Sequence, residues 1–206
     1  MQGKLYGLLP KRSFKLKRRV PPFFISPCGQ KYSYYVNMAK PLTSNNVFPT
    51  TDGICPDAYS LAVISPAYAS STGELNAVLQ YIYHSLIFMK NGMNEFADSI
   101  ESIAVAEMIH LKLLGKTITA LGAQPIFCQN PPTAYNFYSA KFVSYSRELV
   151  NMVEDDIMGE KHAICQYTRM LSRLRNEQVK AIIARILEDE KLHLEKLKEI
   201  LHELKC

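Results

Sequence analysis

Apolar residues recur at helical spacing along the C-terminal stretch, where Val179, Ile182, Ile183, Ile186, Leu192, Leu197 and Leu201 form one stripe. This predicts a long amphipathic helix from about Glu177 to the C-terminus, after a break at Arg175-Asn176. A third helix is expected from about Lys141 to Leu174, and a second from about Asn94 to Leu121, stopped by Gly122 with Pro125 beyond it. The first helix is predicted to begin at Ser65-Pro66, because Ser is a good N-cap and Pro suits the first helical position. It would run through Tyr81 to Asn91-Gly92, which puts Glu74 in mid-helix. Between the second and third helices lie 19 residues, Gly122 to Ala140, with Pro125, Pro131 and Pro132. Fully extended they reach roughly 60 Å, more than the roughly 42 Å of a helix of about 28 residues. The segment can therefore cross a bundle end to end, and the pattern predicts two helical hairpins joined by one long crossover.

The pattern breaks down before the first helix. Residues 30 to 64 are rich in Tyr, Ser, Pro and Asn, with Asn45-Asn46, Pro49, Asp52-Gly53 and Pro56 as turn punctuation, and read as an extended arm with at most a short helix. The expected division is an irregular basic N-terminal extension over 1–64 and a bundle over 65–206.

Composition sharpens this division. The chain of 206 residues is 48% hydrophobic, enough for one domain with an ample core. Its net charge of +5 hides a split: residues 1 to 51 carry nine Lys and Arg and no acid, leaving 15 basic against 19 acidic residues elsewhere. The basic stretch Lys11 to Arg19 reads as a solvated extension, with a contact surface for an acidic partner as the alternative. Nothing aromatic and basic recurs to suggest a specific nucleic-acid module. Val20 to Ile25 is too short and proline-broken for a signal peptide, and no apolar run is long enough to span a bilayer. Five Cys, at 28, 55, 128, 165 and 206, form no Cys-x-x-Cys pair, which argues against a disulfide scaffold or an iron-sulfur centre. A reducing, cytoplasmic setting is expected.

Candidate chemistry lies in a repeat. Glu190 and His193 stand three apart, on one helix face, and so do Glu107 and His110. A third pair, Glu199 and His202, is rotated to the opposite side of the last helix and cannot face the same core. Upstream of the first two pairs, Glu74-Leu-Asn-Ala-Val-Leu-Gln-Tyr81 and Glu160-Lys-His-Ala-Ile-Cys-Gln-Tyr167 share the form Glu-x-x-Ala-[Val/Ile]-x-Gln-Tyr. Glu74 precedes Glu107 by 33 residues and Glu160 precedes Glu190 by 30. Each half thus supplies one lone Glu and one Glu-x-x-His, and a duplication of this kind can bury six ligands in one place.

On these residues, over about 65 to 204, the chain resembles the ferritin-like di-metal carboxylate proteins, the group of rubrerythrins, bacterioferritins and manganese catalases. The resemblance implies an all-α, ferritin-like antiparallel four-helix bundle with one long crossover. It implies two Mn or two Fe ions per chain held by Glu74, Glu107, His110, Glu160, Glu190 and His193. Two divalent ions carry four positive charges; four carboxylates neutralise them and two imidazoles complete the set, whereas burying four carboxylates without metal would be prohibitive. Asp189 resembles the acid that orients a ligand His from the neighbouring hairpin, and the equivalent position in the other half is Ala106. Tyr81 and Tyr167 are placed either to bond a ligand carboxylate or simply to pack in the core. Asp156, one turn before Glu160, reads as an extra ligand, a proton relay or, preferably, a solvated surface group. His84, His162 and His202 are assigned to structure or solvent.

The expected activity is peroxide removal in oxidative-stress defence. A rubrerythrin-type peroxidase would carry a further Glu three residues after Glu160, where this chain has Ala163, and many such proteins carry a rubredoxin module not found in these residues. The preferred expectation is therefore manganese-catalase-like, needing no electron donor, with a rubrerythrin-like peroxidase beside it. The alternatives are a ferroxidase or iron-storage protein acting with dioxygen, and a structural coat protein that keeps the bundle. A homo-oligomer is expected.

Overall fold

The computed structural model describes residues 38–128 and 136–206. Its helices are α1 (Ala58–Ala69), α2 (Glu74–Lys90), α3 (Asn94–Ala120), α4 (Leu149–Arg173) and α5 (Glu177–Lys205), with one 3-10 turn at Ala140–Phe142. The chain is an all-α bundle in which α2 packs chiefly on α3, and α4 on α5, as two hairpins. The basic stretch Lys11 to Arg19 and the middle of the crossover, including Pro131 and Pro132, lie outside the described residues.

The single first helix predicted from Ser65-Pro66 is instead two helices, and Glu74 opens α2 rather than lying in mid-helix. Asp57 outcompetes Ser65 as the cap, since its carboxylate accepts from the amides of both Tyr59 and Ser60. The run Ser70-Ser71-Thr72-Gly73 then ends α1. Ser70 Oγ accepts from the Thr72 amide at 3.2 Å, and hydroxyls that bond nearby backbone compete with the helix. Gly73 is needed for close approach: a Cβ there would stand 2.7 Å from the Ala67 carbonyl oxygen.

The third predicted helix also starts late. Before α4, Ser144 gives its amide to Gln80 Oε1 of α2 at 2.9 Å and Ser146 gives its hydroxyl to Asp155 of α4 at 2.6 Å, so this stretch is tied to both helices instead of coiling. The other ends follow the sequence. The Ala123 amide reaches back to Ile118 across Gly122, whose φ of +93° closes α3, and Asn176 caps α5 through the amides of Gln178 and Val179.

Two apolar clusters fill the bundle. One joins Leu114, Ile118, Tyr167, Met170, Ile182 and Ile186; the other joins Phe88, Ile100, Ile103, Met152, Leu197 and Ile200. On α3, α4 and α5 alike, the residues in between carry Glu107, Glu160 and Glu190. A polar layer is thus closed above and below by packed hydrocarbon, which raises the strength of every charge interaction within it.

Residues 39 to 57, although irregular, are pinned. The Leu42 amide donates to Ser102 of α3 at 3.0 Å, the Asp57 amide to Leu121, and Gln178 of α5 reaches the Asp52 carbonyl.

Candidate metal centre

The structure brings all six repeat residues into the polar layer, none more than 4% exposed. They form two overlapping groups, Glu74–Glu107–His110–Glu190 and Glu107–Glu160–Glu190–His193, each with one ligand atom per residue within 4.8 Å of the others. Glu107 and Glu190 belong to both groups. The lone Glu of each half stands at the flank, and the two imidazoles lie 5.8 Å apart at 27°. Glu199 is exposed and bonded to Lys196, as its opposite-side register requires.

Each histidine is held from outside the cluster. His110 Nε2 donates to Asp189 Oδ2 at 2.9 Å, and His193 Nε2 donates to the Leu42 carbonyl at 2.9 Å. With Nε2 bonded outward, each ring turns its Nδ1 inward toward the carboxylates. His110 Nδ1 lies 3.1 Å from Glu107 Oε2 and 3.2 Å from Glu190 Oε1. His193 Nδ1 lies 2.9 Å from Glu107 Oε1.

The tyrosines bond across the hairpins, Tyr81 of α2 to Glu160 of α4 and Tyr167 of α4 to Glu74 of α2. Burial and the neighbouring carboxylates push both phenols well above their ordinary range, so they remain donors.

The electrostatics of the cluster show what it demands. Burial, together with Glu107 and Glu190, holds Glu74 far above the usual carboxylate range, and burial with Glu190 and Glu107 does the same to Glu160. Burial also opposes ionisation of Glu107, but the proton shared with Glu74 and the two imidazoles outweigh it and hold Glu107 well down. Burial resists charging His110 and His193, yet Glu107 and its neighbours raise both.

A di-metal centre fits this donor set. Glu107 Oε1, Glu160 Oε2, Glu190 Oε1 and His193 Nδ1 are fully buried with no hydrogen-bond partner. Buried acceptors without donors are rare in folded proteins and call for a cation.

Several residues here carry no obvious sequence signal. Arg185 pairs with Asp189 at 2.6 Å, lies over the Phe48 ring at 4.1 Å, and donates to the Ser44 and Asn46 carbonyls. Asp156, read as a solvated surface group, is fully buried. It accepts from His84 Nδ1 at 2.8 Å and from Gln80 at 2.8 Å, while His84 Nε2 donates to the Ser144 carbonyl. Both of its ring nitrogens face acceptors; burial opposes the charge but Asp156 overrides it, so His84 is raised and pairs as imidazolium. Asp156 joins neither four-residue group. Its placement four residues before Glu160, on the same face, was the signal for burial.

A cavity of about 220 Å³ opens on the carboxylate side, lined by Glu74, Tyr81, Glu160, Ala163, Tyr167 and others. The arm from Leu42 to Phe48 lies on the histidine side.

Comparison with solved structures gives a manganese catalase from Anabaena at 21% identity and TM-score 0.64, covering 81% of this chain and 78% of that one. It also gives the bacterioferritin of Rhodobacter capsulatus, with a metal-free dinuclear site, at 19% and 0.60, covering 73% and 88%. The bacterioferritin of Desulfovibrio desulfuricans, with its diiron site, matches at 24% and 0.59, covering 72% and 81%. No curated protein matches the sequence. The fold is that of the ferritin-like di-metal carboxylate proteins. A family model described as rubrerythrin matches residues 68–201, and the chain belongs to the rubrerythrin family.

Proposed function

We propose that this chain is a di-metal oxidoreductase acting on hydrogen peroxide, with two manganese or two iron ions held by Glu74, Glu107, His110, Glu160, Glu190 and His193. Glu107 and Glu190 are common to both groups and would serve both ions. The observation that carries the reading is the cavity of about 220 Å³ against the carboxylate face, which gives a peroxide or dioxygen molecule access to Glu74 and Glu160. A pair of such ions held there would supply two-electron redox chemistry, by which two hydrogen peroxide molecules become two waters and one dioxygen.

The protein's part is positioning and proton supply. Tyr81 and Tyr167 hold the flanking carboxylates, and both residues line the cavity. The packed layers above and below leave the cavity as the way in to the cluster. Ala163 lines the cavity where a rubrerythrin-type peroxidase would place another carboxylate, which favours the manganese-catalase-like form. Among the described residues no helix is long and apolar enough to cross a membrane. We expect a homo-oligomer in the reducing cytoplasm.

The test is metal content followed by turnover. Two manganese per chain with oxygen evolution from peroxide supports the reading. Protein loaded with two manganese or two iron that leaves peroxide untouched overturns it. Likeness to bacterioferritins favours one second reading, ferroxidase and iron storage, for which Fe(II) oxidation inside a hollow many-subunit particle is the signature.

A further inference from the structure

The two halves orient their histidines by different means. In α5, Asp189 precedes Glu190 and takes the Nε2 proton of His110. In α3 the matching residue is Ala106, which has no acceptor to offer, and the carbonyl of Leu42 stands in for it on His193. That carbonyl belongs to a strap, residues 39 to 48, laid along α3 and α5.

The strap is tied at each end of this contact. On α3, the Ala39 amide reaches Glu101 at 3.3 Å and the Leu42 amide reaches the Ser102 carbonyl at 3.0 Å. On α5, the Ser44 amide donates to Asp189 Oδ1 at 2.7 Å. Arg185 closes it, donating from Nε to the Asn46 carbonyl at 2.8 Å and from Nη2 to the Ser44 carbonyl at 3.1 Å. The strap thus touches both histidine orienters: it supplies one itself and holds the other.

We propose that the strap positions both ligand histidines, so that its seating and the loading of the two ions are linked. The Leu42 carbonyl, and the Ser44 amide acting through Asp189, keep a proton on each Nε2 and turn each Nδ1 inward, where a metal can take it. The inference rests on the ligand assignment given under Proposed function. Groups that orient metal-bound histidines commonly govern affinity roughly 10–100-fold. Linkage makes the effect reciprocal: if the strap favours metal, metal must favour the strap.

The experiment uses the full chain and Mn(II) alone. Ser44→Pro removes the amide that holds Asp189, and Arg185→Met removes the closing bonds. Binding is measured by chelator competition, and the ring tautomers of His110 and His193 by nitrogen-15 shifts in the metal-free protein at a pH high enough to leave both rings neutral. Both variants are expected to bind Mn(II) roughly 10–100-fold more weakly, with mixed tautomers. Folded variants with wild-type affinity and unmixed tautomers would overturn the proposal. Hydrogen exchange on the wild type decides the matter even if the variants do not fold. Slower exchange of the Leu42 and Ser44 amides on loading supports the linkage, and unchanged exchange refutes it. A wild-type chain that takes no metal refutes the ligand assignment and this inference together. Two bound manganese without peroxide turnover would remove only the proposed activity.

Discussion

Glu107 Oε1 and His193 Nδ1 face each other at 2.9 Å, both fully buried and neither with a hydrogen-bond partner. Two acceptors at that distance repel, so the arrangement is stable only with a proton or a metal ion between them. Glu107→Gln replaces one acceptor with a possible donor. At a pH high enough to leave His193 neutral, it should stabilise the metal-free protein by about 1–2 kcal/mol, the worth of one buried hydrogen bond to an otherwise unpaired group. Because Glu107 belongs to both groups, the same change should abolish tight binding of both ions. Melting of the metal-free protein and metal content per chain check the two halves of this prediction; a variant that melts lower and keeps two ions would contradict it.

The metal-free protein should lose stability as pH rises. Glu74, Glu160, His110 and His193 all have raised folded values, so the folded state holds more protons than the unfolded one, and that contribution is lost as pH climbs through those values. Glu107 and Asp189 are lowered and act oppositely, but their gain is complete once pH passes the ordinary carboxylate range. Melting temperature without metal should therefore fall as pH rises beyond the ordinary histidine range. With Mn(II) present the trend should reverse, since metal displaces the same protons. Parallel pH curves with and without metal would show that these groups are not the ligands.

The tyrosine bonds cross between hairpins, so removing one should be felt in the opposite half. Tyr81→Phe takes a donor from Glu160 and should weaken chiefly the ion shared with His193; Tyr167→Phe takes a donor from Glu74 and should weaken the ion shared with His110. Each loss is expected at about tenfold in affinity. Two-step binding isotherms with complementary changes in the two variants would bear this out.

Asp156 and His84 form a buried ion pair next to the cluster but outside it. Asp156→Ala leaves a buried imidazole without its counter-ion and should cost about 3–5 kcal/mol. Metal stoichiometry should stay at the wild-type value. Denaturant unfolding and metal analysis on the same preparation separate the two effects.

Gly73→Ala puts a methyl group 2.7 Å from the Ala67 carbonyl oxygen, so α1 must shift away from the start of α2. A cost of about 1–3 kcal/mol is expected. Glu74, the next residue, should be displaced with it, so metal affinity falls too.

The helical stripes, the Gly122 and Asn176 boundaries and the duplicated Glu and Glu-x-x-His spacing are local properties. Period and capping chemistry act within a few residues of chain, which is why the four main helices and the face carrying Glu107, His110, Glu190 and His193 are legible from sequence. The break at Ser70 to Gly73 was locally legible too, yet the Ser65-Pro66 start signal masked the better cap at Asp57.

What only the tertiary structure decided are pairings between residues far apart in the chain. Leu42 meets His193, Ser44 meets Asp189, Asp156 meets His84, and each tyrosine meets the opposite half's glutamate. A backbone carbonyl has no residue type to recognise, and an arm without periodicity has no face to assign. Its role exists only once α3 and α5 have packed and left two imidazole protons needing acceptors. Repeat spacing could determine which residues converge; packing alone could determine how their protons are held.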